Sequence, residues 1–410
     1  MDKLLTGMRG MSHPQRDIAG NRAPRSVRSI EQRDLRCFFV WGNPLARKLE
    51  IGVLFSRSGP YRLMGEASHR GVMQGIADVN ADNDLDLTFE PVERDPAGDV
   101  DAYAPLGEDI LATSRARHII GCTTSWSRKE VIPTLERLNG ALWYPVPYEG
   151  FEASDRIVYT HACPNQHLLP LLEHALGAHG RRGYLTGSNY IWGWEMNRLA
   201  RQVTVAAGGE ILGERYLPLG STDVARIVAE IAALRPDFVL NQLIGPSQYE
   251  FIAEMAKLRQ RDPHFASPRC PVLSCNLTEC ELPVMGDAAD GIIAAGPWFR
   301  GMPARSAGRD RGHGFGSSFE VAAHDSVMML ARLLNNRPGA EDLPLSQLLS
   351  LPVAGQLGIS ARTHHTRLPV AIARVQDGAF SVIRALEPID GDPYLTGARD
   401  MPRAALRVVT

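Results

Sequence analysis

The sequence predicts an α/β protein of two similar lobes, each a mainly parallel sheet flanked by helices, with a ligand cleft between them. Three observations carry this. Through the first 300 residues, buried strands alternate with helical stripes, which suits parallel sheets and argues against an all-β sandwich. The pattern then recurs, once from about residue 49 and again from about residue 161. Finally, 410 residues exceed what a single ordinary core organises.

The first set opens at Glu50–Ser56, a run of buried strand character closed by the Ser58-Gly59-Pro60 turn. Met64, Ala67, Gly71, Gly75, Ile76 and Val79 then form a helical stripe. Residues 85–92 alternate like a strand, and 101–114 read as a helix. The stretch from Arg117 to Pro147 is one βαβ unit: strand 117–121, helix 127–139, strand 141–147. A short crossing strand follows at Ile157–Tyr159.

The second set begins at Asn165, which is placed to cap a helix burying Leu168, Leu169, Leu172 and Leu176. A strand from Arg182, a helix over 191–207 ended by Gly208-Gly209, and further strand–helix pairs to about 261 complete it. Residues 271–275 and 291–295 read as strands, and 317–334 as a long helix. Residues 370–374 and 379–384 alternate around Asp377-Gly378, a hairpin signal.

In an open α/β sheet, ligands sit beyond the carboxyl ends of the strands. Ser125 lies at one such end, Tyr144–Tyr148 at the next, and Ser188-Asn189-Tyr190-Ile191-Trp192 at the equivalent corner of the second set. Two readings of these corners stand. Hydroxyls and aromatic rings there suit a small neutral molecule; the same residues also serve as helix caps and packing.

Composition removes several function classes. Hydrophobic residues at 44% and charged residues at 22% describe a globular chain, and a net charge of −2 offers no broad attraction to nucleic acid or to a membrane. No run of about 18 apolar residues exists to span a bilayer. The six cysteines (Cys37, Cys122, Cys163, Cys270, Cys275 and Cys280) form no tight framework and read as free thiols in a reducing cytoplasm. Their spacing matches no zinc pattern, and the pair His364-His365 stands alone in a polar stretch, so no metal is expected. The Gly312-His313-Gly314-Phe315-Gly316 run lacks a full phosphate-binding fingerprint. No nucleophile elbow, HExxH or Walker pattern occurs, which argues against an enzyme and leaves no cofactor or catalytic residue to assign. Glu149 reads as a structural group at the crossover between lobes. Residues 1–48 carry ten Arg and Lys against four acids and hold no helical or strand period, the mark of a disordered basic extension.

The stretch GCTTSWSRKEVIPTLERLNGALWYPVPYEGFE, residues 121–152, carries a resemblance. Its GCxxSxxRKxVxPxxER and YPxPYEGFE patterns resemble the AmiC-like amide sensors, negative regulators of aliphatic amidase operons in the type I periplasmic-binding-protein superfamily. The urea and short-chain-amide solute-binding proteins of ABC importers are near relatives. The likeness runs from about Leu49 to Tyr394. It implies the type I fold with three crossings between lobes. One lobe would comprise 49–160 plus 287–352, and the other 161–286 plus 353–410.

The resemblance also implies a site. Ser125 takes the place of the serine whose hydroxyl bonds the amide, and Tyr144 and Tyr190 match tyrosines that wall the pocket. Three positions depart: Thr123 and Trp192 stand where the sensors have tyrosines, and Val146 where they have a threonine. A lost hydroxyl costs about 1–3 kcal/mol when its partner stays unpaired, so acetamide-sized ligands come into question. Leu243 and Ile244, Asn276–Thr278, and Trp298 with Phe299 are expected to line the rest.

By resemblance the function is that of a sensor which closes on a small amide or urea-like molecule. It would control an RNA-binding antiterminator of an amidase operon in the cytoplasm, with a homodimer as a further expectation. The alternative is the periplasmic substrate-binding protein of an ABC importer for amides, urea or amino acids. No direct nucleic-acid partner is expected.

Overall fold

The computed structural model describes residues 46–152, 154–266, 268–304 and 314–396. A five-stranded, wholly parallel sheet is ordered β2-β1-β3-β4-β5, from β1 (Arg47–Leu54), β2 (Leu87–Arg94), β3 (His118–Gly121), β4 (Ala141–Tyr144) and β5 (Ile157–Tyr159). Helices α1 (Arg62–Asn80), α2 (Tyr103–Thr113) and α3 (Ser125–Leu138) connect its strands. A seven-stranded sheet is ordered β12-β11-β10-β9-β8-β6-β7. Its parallel part is β6 (Arg182–Ser188), β7 (Glu210–Leu217), β8 (Phe238–Gln242), β9 (Val272–Ser274) and β10 (Ile293–Gly296). The antiparallel hairpin of β11 (Leu368–Gln376) and β12 (Ala379–Ile389) extends it. Its connecting helices are α4 (Leu168–Ala178), α5 (Ile191–Ala206), α6 (Ala225–Leu234), α7 (Pro246–Arg261) and the short α8 (Leu282–Met285). Helices α9 (Ser318–Leu334), α10 (Leu345–Leu349) and α11 (Pro352–Gln356) lie between β10 and β11 in sequence.

The short strands are apolar on both faces, as strands covered by helices on each side must be. Ile119 faces one core and Ile120 the other, the period-2 alternation of a strand. On one side of the first sheet, Ile51, Val53, Ile120 and Trp143 pack against Val72, Ile76 and Val79 of α1 and against the apolar face of α9. On the other, Leu54, Ile119 and Leu142 join a cluster that continues through Tyr144 and Tyr148 to Tyr190, Trp192 and Leu240 of the second sheet.

The chain passes between the sheets three times: after β5, after β10 and after α11. The crossing points differ from the expected boundaries. Residues from 287 on were expected in the first lobe, yet Ile293 and Ala294 pair with Leu273 and Ser274, so the return begins only beyond Gly296. Residues from 353 on were expected in the second, yet Val353, Ala354, Leu357 and Ile359 still pack on the first core.

At the amino end, residues 1–45 of the expected extension lie outside the described residues. Arg47 and Lys48 belong to β1, with Arg47 ion-paired to Asp86 at 3.2 Å and Glu341 at 3.1 Å. The cap of α4 is His167, whose ring accepts from Leu168 N–H, while Asn165 bonds Asp390 and Asp392 instead. His364 and His365, read as an isolated polar pair, are buried, and His365 stacks on Tyr159 at 4.3 Å. Gly312 and His313 fall outside the described residues. No helix among the described residues is long and apolar enough to cross a membrane.

Candidate functional site

Strand β3 ends at Gly121, and the chain turns into α3 through Cys122-Thr123-Thr124. Cys122 takes φ +66°, a left-handed conformation that costs a non-glycine residue about 1–3 kcal/mol. Its N–H is held by Leu54 O at 2.9 Å. Thr124 caps α3 in a reciprocal box with Ser127, which satisfies the free N–H groups of the first turn. This turn leaves Thr123 and Ser125 at the carboxyl end of the sheet. Tyr144 and Val146 project from the end of β4 beside them.

In the second sheet, β6 ends at Ser188 and α5 begins at Ile191. Ser188 Oγ accepts from Ile244 N–H at 3.1 Å, tying this corner to the end of β8. Gly193 is required here: a Cβ would lie 2.1 Å from Ser188 O. The close packing turns Tyr190 and Trp192 toward the first sheet.

The two corners face one another. Thr123, Thr124, Ser125, Tyr144 and Val146 of the first sheet, and Tyr190, Trp192, Ile244 and Asn276 of the second, enclose one gap with Met64 of α1 and Phe319 of α9. The gap measures about 20 Å3, room for one water-sized group. The two sides touch beside it. Gly245, at φ +59°, comes so near the Pro60 carbonyl that a Cβ would sit 1.9 Å from its oxygen. A solute therefore enters only if the two sides move apart.

Eight of the expected residues are brought together here: Thr123, Ser125, Tyr144, Val146, Tyr190, Trp192, Ile244 and Asn276. Leu243, Leu277, Thr278, Trp298 and Phe299 are not. Leu243 precedes Ile244 and points the other way, into the cluster with Tyr184 and Phe251. Thr278 Oγ1 pairs with Cys280 Sγ at 3.3 Å. Phe299 packs on Phe380 across the β10–β11 edge, with ring centroids 4.7 Å apart. Met64 and Phe319 come from helices far away in sequence, and only the assembled fold places them.

Behind Ser125 lies a buried charge network. Ser125 Oγ donates to Glu149 Oε2 at 2.7 Å. Arg128, with its side chain fully buried, donates to Glu149 Oε1 at 2.6 Å and to Glu152 Oε2 at 2.7 Å. Lys129 Nζ donates to Glu152 Oε1 at 2.8 Å. The Arg128 guanidinium also lies 4.9 Å from the Tyr144 ring centroid and 4.7 Å from that of Tyr148. Burial opposes its charge, yet Glu149 and the surrounding partners hold its pKa above the ordinary arginine value. Burial likewise opposes the Glu152 charge, but Arg128 and Lys129 keep that carboxyl below its usual range.

Two cations thus meet two anions, and no formal charge is left over. Burial raises the pKa of Tyr144 and Tyr190, so both stay neutral phenols. Burial also pushes the Cys122 thiol up to about 12, leaving it protonated. Thr123 Oγ1 and Trp192 Nε1 are buried polar atoms without a hydrogen-bond partner among the described residues. No cluster of three metal-ligating side chains occurs among the described residues.

A larger hollow of about 770 Å3, lined by Asp82, Asp84, Arg332, Asn335 and Arg337, opens near the start of β2. It lies at the amino-terminal edge of the first sheet, whereas α/β ligand sites form at carboxyl ends. The small gap, at the carboxyl ends of both sheets, is therefore the candidate solute site.

The periplasmic binding protein domain family matches residues 49–329. The chain belongs to this family. Solved structures share its fold at low identity. One is the solute-binding protein of an ABC transporter from Rhodopseudomonas palustris HaA2, solved in complex with p-hydroxybenzoic acid. It is 19% identical with a TM-score of 0.72, over 86% of this chain and 100% of that one. Another is the branched-chain amino acid transporter substrate-binding protein LivJ from Streptococcus pneumoniae, in complex with isoleucine. It is 16% identical with a TM-score of 0.65, over 84% of this chain and 99% of that one. A third, the ABC transporter substrate-binding protein from Sphaerobacter thermophilus, is 18% identical with a TM-score of 0.68, over 85% and 100%.

Proposed function

We propose that this chain is a substrate-binding protein of an ABC importer, closing over a small neutral polar solute held by Thr123, Ser125, Tyr144, Tyr190 and Trp192. The observation that carries the reading is the unmatched pair Thr123 Oγ1 and Trp192 Nε1 in a gap whose charges already cancel. A buried polar atom without a partner costs about 1–3 kcal/mol, and a solute with matching groups removes that cost. Closure is then a population shift, set by how much better the solute binds the closed form than the open one. Calorimetric titration with propionamide, lactamide, urea, isoleucine and p-hydroxybenzoate tests it. Binding confined to propionamide, lactamide and urea is expected; binding confined to isoleucine and p-hydroxybenzoate, which both present a carboxylate, overturns it.

A second reading, the amide sensor controlling an antiterminator in the cytoplasm, is favoured by the 121–152 motif. The three structural neighbours described above, each a solute-binding or substrate-binding protein, favour the importer component and the periplasm. Fractionation of tagged full-length chain separates the two: a shortened periplasmic species supports the importer, and retention with the cytoplasm supports the sensor.

A further inference from the structure

We infer that Glu149 is the positioning residue that sets which solutes the cleft accepts, by fixing the Ser125 hydroxyl as an acceptor and cancelling the Arg128 charge. This rests on the binding reading above; preference for a carboxamide is what the 121–152 resemblance implies, and the addition is the residue that enforces it against a carboxylate of the same shape.

A serine hydroxyl has one proton and two lone pairs. The Ser125 proton is committed to Glu149 Oε2 at 2.7 Å. Glu149 cannot release it by turning away, because Arg128 holds its other oxygen at 2.6 Å. Arg128 is held in turn by Glu152 and by the faces of Tyr144 and Tyr148. Toward the gap, Ser125 therefore offers only lone pairs. A carboxamide N–H bonds them, whereas a carboxylate oxygen is repelled. The second effect has the same sign. Arg128 and Lys129 are already neutralised by Glu149 and Glu152, so neither of these cations is left to attract an anionic solute. The Glu149 carboxylate, one hydrogen bond behind Ser125, faces any anion that enters.

Glu149→Gln reverses both effects with little change of shape. Arg128 keeps the glutamine carbonyl at the Oε1 position, which leaves the NH2 group beside Ser125 and frees the serine proton for the solute. One negative charge also disappears. Propionamide and propionate are the matched probes, titrated calorimetrically against wild-type chain and Glu149→Gln, with circular dichroism and thermal melts recording folding. The wild type should prefer propionamide, and the variant should lose about tenfold for propionamide and gain about tenfold for propionate.

Ser125→Ala reads the same arrangement without touching the ion pair. It should weaken propionamide by about tenfold and leave propionate no weaker. Equal weakening of both probes in the two variants shows a structural role only and overturns the inference, while the binding reading stands. Wild-type preference for propionate overturns it as well. If the wild type binds neither probe nor any neutral solute of the wider panel, the binding reading falls and takes this inference with it.

Discussion

The two corners that meet at the gap are built on different principles. The Thr123–Arg128 corner is electrostatic: a capping box, a strained Cys122 and a buried ion network in which each charge faces an opposite one. The Ser188–Gly193 corner is steric and aromatic. It has no side-chain cap on α5, one tight glycine, and two large rings with an indole N–H left unmatched. The first corner is rigid because breaking it strands a charge; the second is shaped by packing and leaves hydrogen-bonding capacity for something else. One side supplies orientation, and the other supplies walls.

The sharpest way to break this contrast is Arg128→Ala. It leaves Glu149 buried without its cation, and such losses run to about 3–5 kcal/mol. Urea unfolding should show a drop of that order; a drop below about 1 kcal/mol would mean the network contributes little. Lowering the pH tests the surroundings of both corners. Burial, with a smaller push from His167, lowers His161 to about 3; burial lowers His167 to about 4 and His365 to about 3. Their unfolded values lie near 6.5. Their contribution is thus intact above pH 6.5 and is lost as pH falls toward the folded values, at about 2 kcal/mol per histidine by pH 5. Glu281, which burial raises to about 7, works oppositely: its contribution is full below about 4.5 and gone above 7. Three histidines outweigh one carboxyl, so melting temperature should fall below pH 6.5. A flat profile down to pH 4.5 would contradict the burial of these rings.

Smaller effects refine the comparison. Gly193→Ala forces α5 away from Ser188 O, with an expected loss of about 1–3 kcal/mol and weaker solute binding, read by thermal melts and calorimetry. Trp192→Phe removes an N–H that no atom of the described residues accepts, so stability should hold while solute affinity drops about five- to tenfold. Unchanged affinity would take Trp192 off the solute. Thr124→Ala should cost about 1 kcal/mol through its cap alone, whereas no equivalent change exists at Tyr190, which caps nothing.

Much of this was legible from local sequence. The βαβ units, the Asp377-Gly378 hairpin and the sheet-end positions of Ser125 and Tyr190 follow from periodicity and turn chemistry acting over a few residues. What escaped depends on distance along the chain. Phe319 and Met64 reach the gap because α9 packs on α1, a pairing that no local pattern reveals. Glu149 read as structural because a lone acid in a turn has no visible partner; Arg128, 21 residues earlier, becomes its partner only when β3 and β4 lie side by side. Leu243 was misplaced because one residue's shift along an extended segment exchanges one face for the other, and Ile244 lines the gap instead; Thr278 and Phe299 lie in turns beyond β9 and β10, where no strand period fixes a face. The Asn165 cap was displaced by a neighbour two residues on, whose ring could reach the same N–H.

The docking of α9 onto the first sheet also constrains how the protein is made. Val72, Ile76 and Val79 find their cover in residues 323–334, about 250 positions downstream. At ribosomal speeds of about 5–20 residues per second, the early half waits roughly 13–50 s with an apolar flank bare. The amino-terminal sheet therefore emerges first yet waits for a helix made much later, and over that interval its bare flank is open to a chaperone.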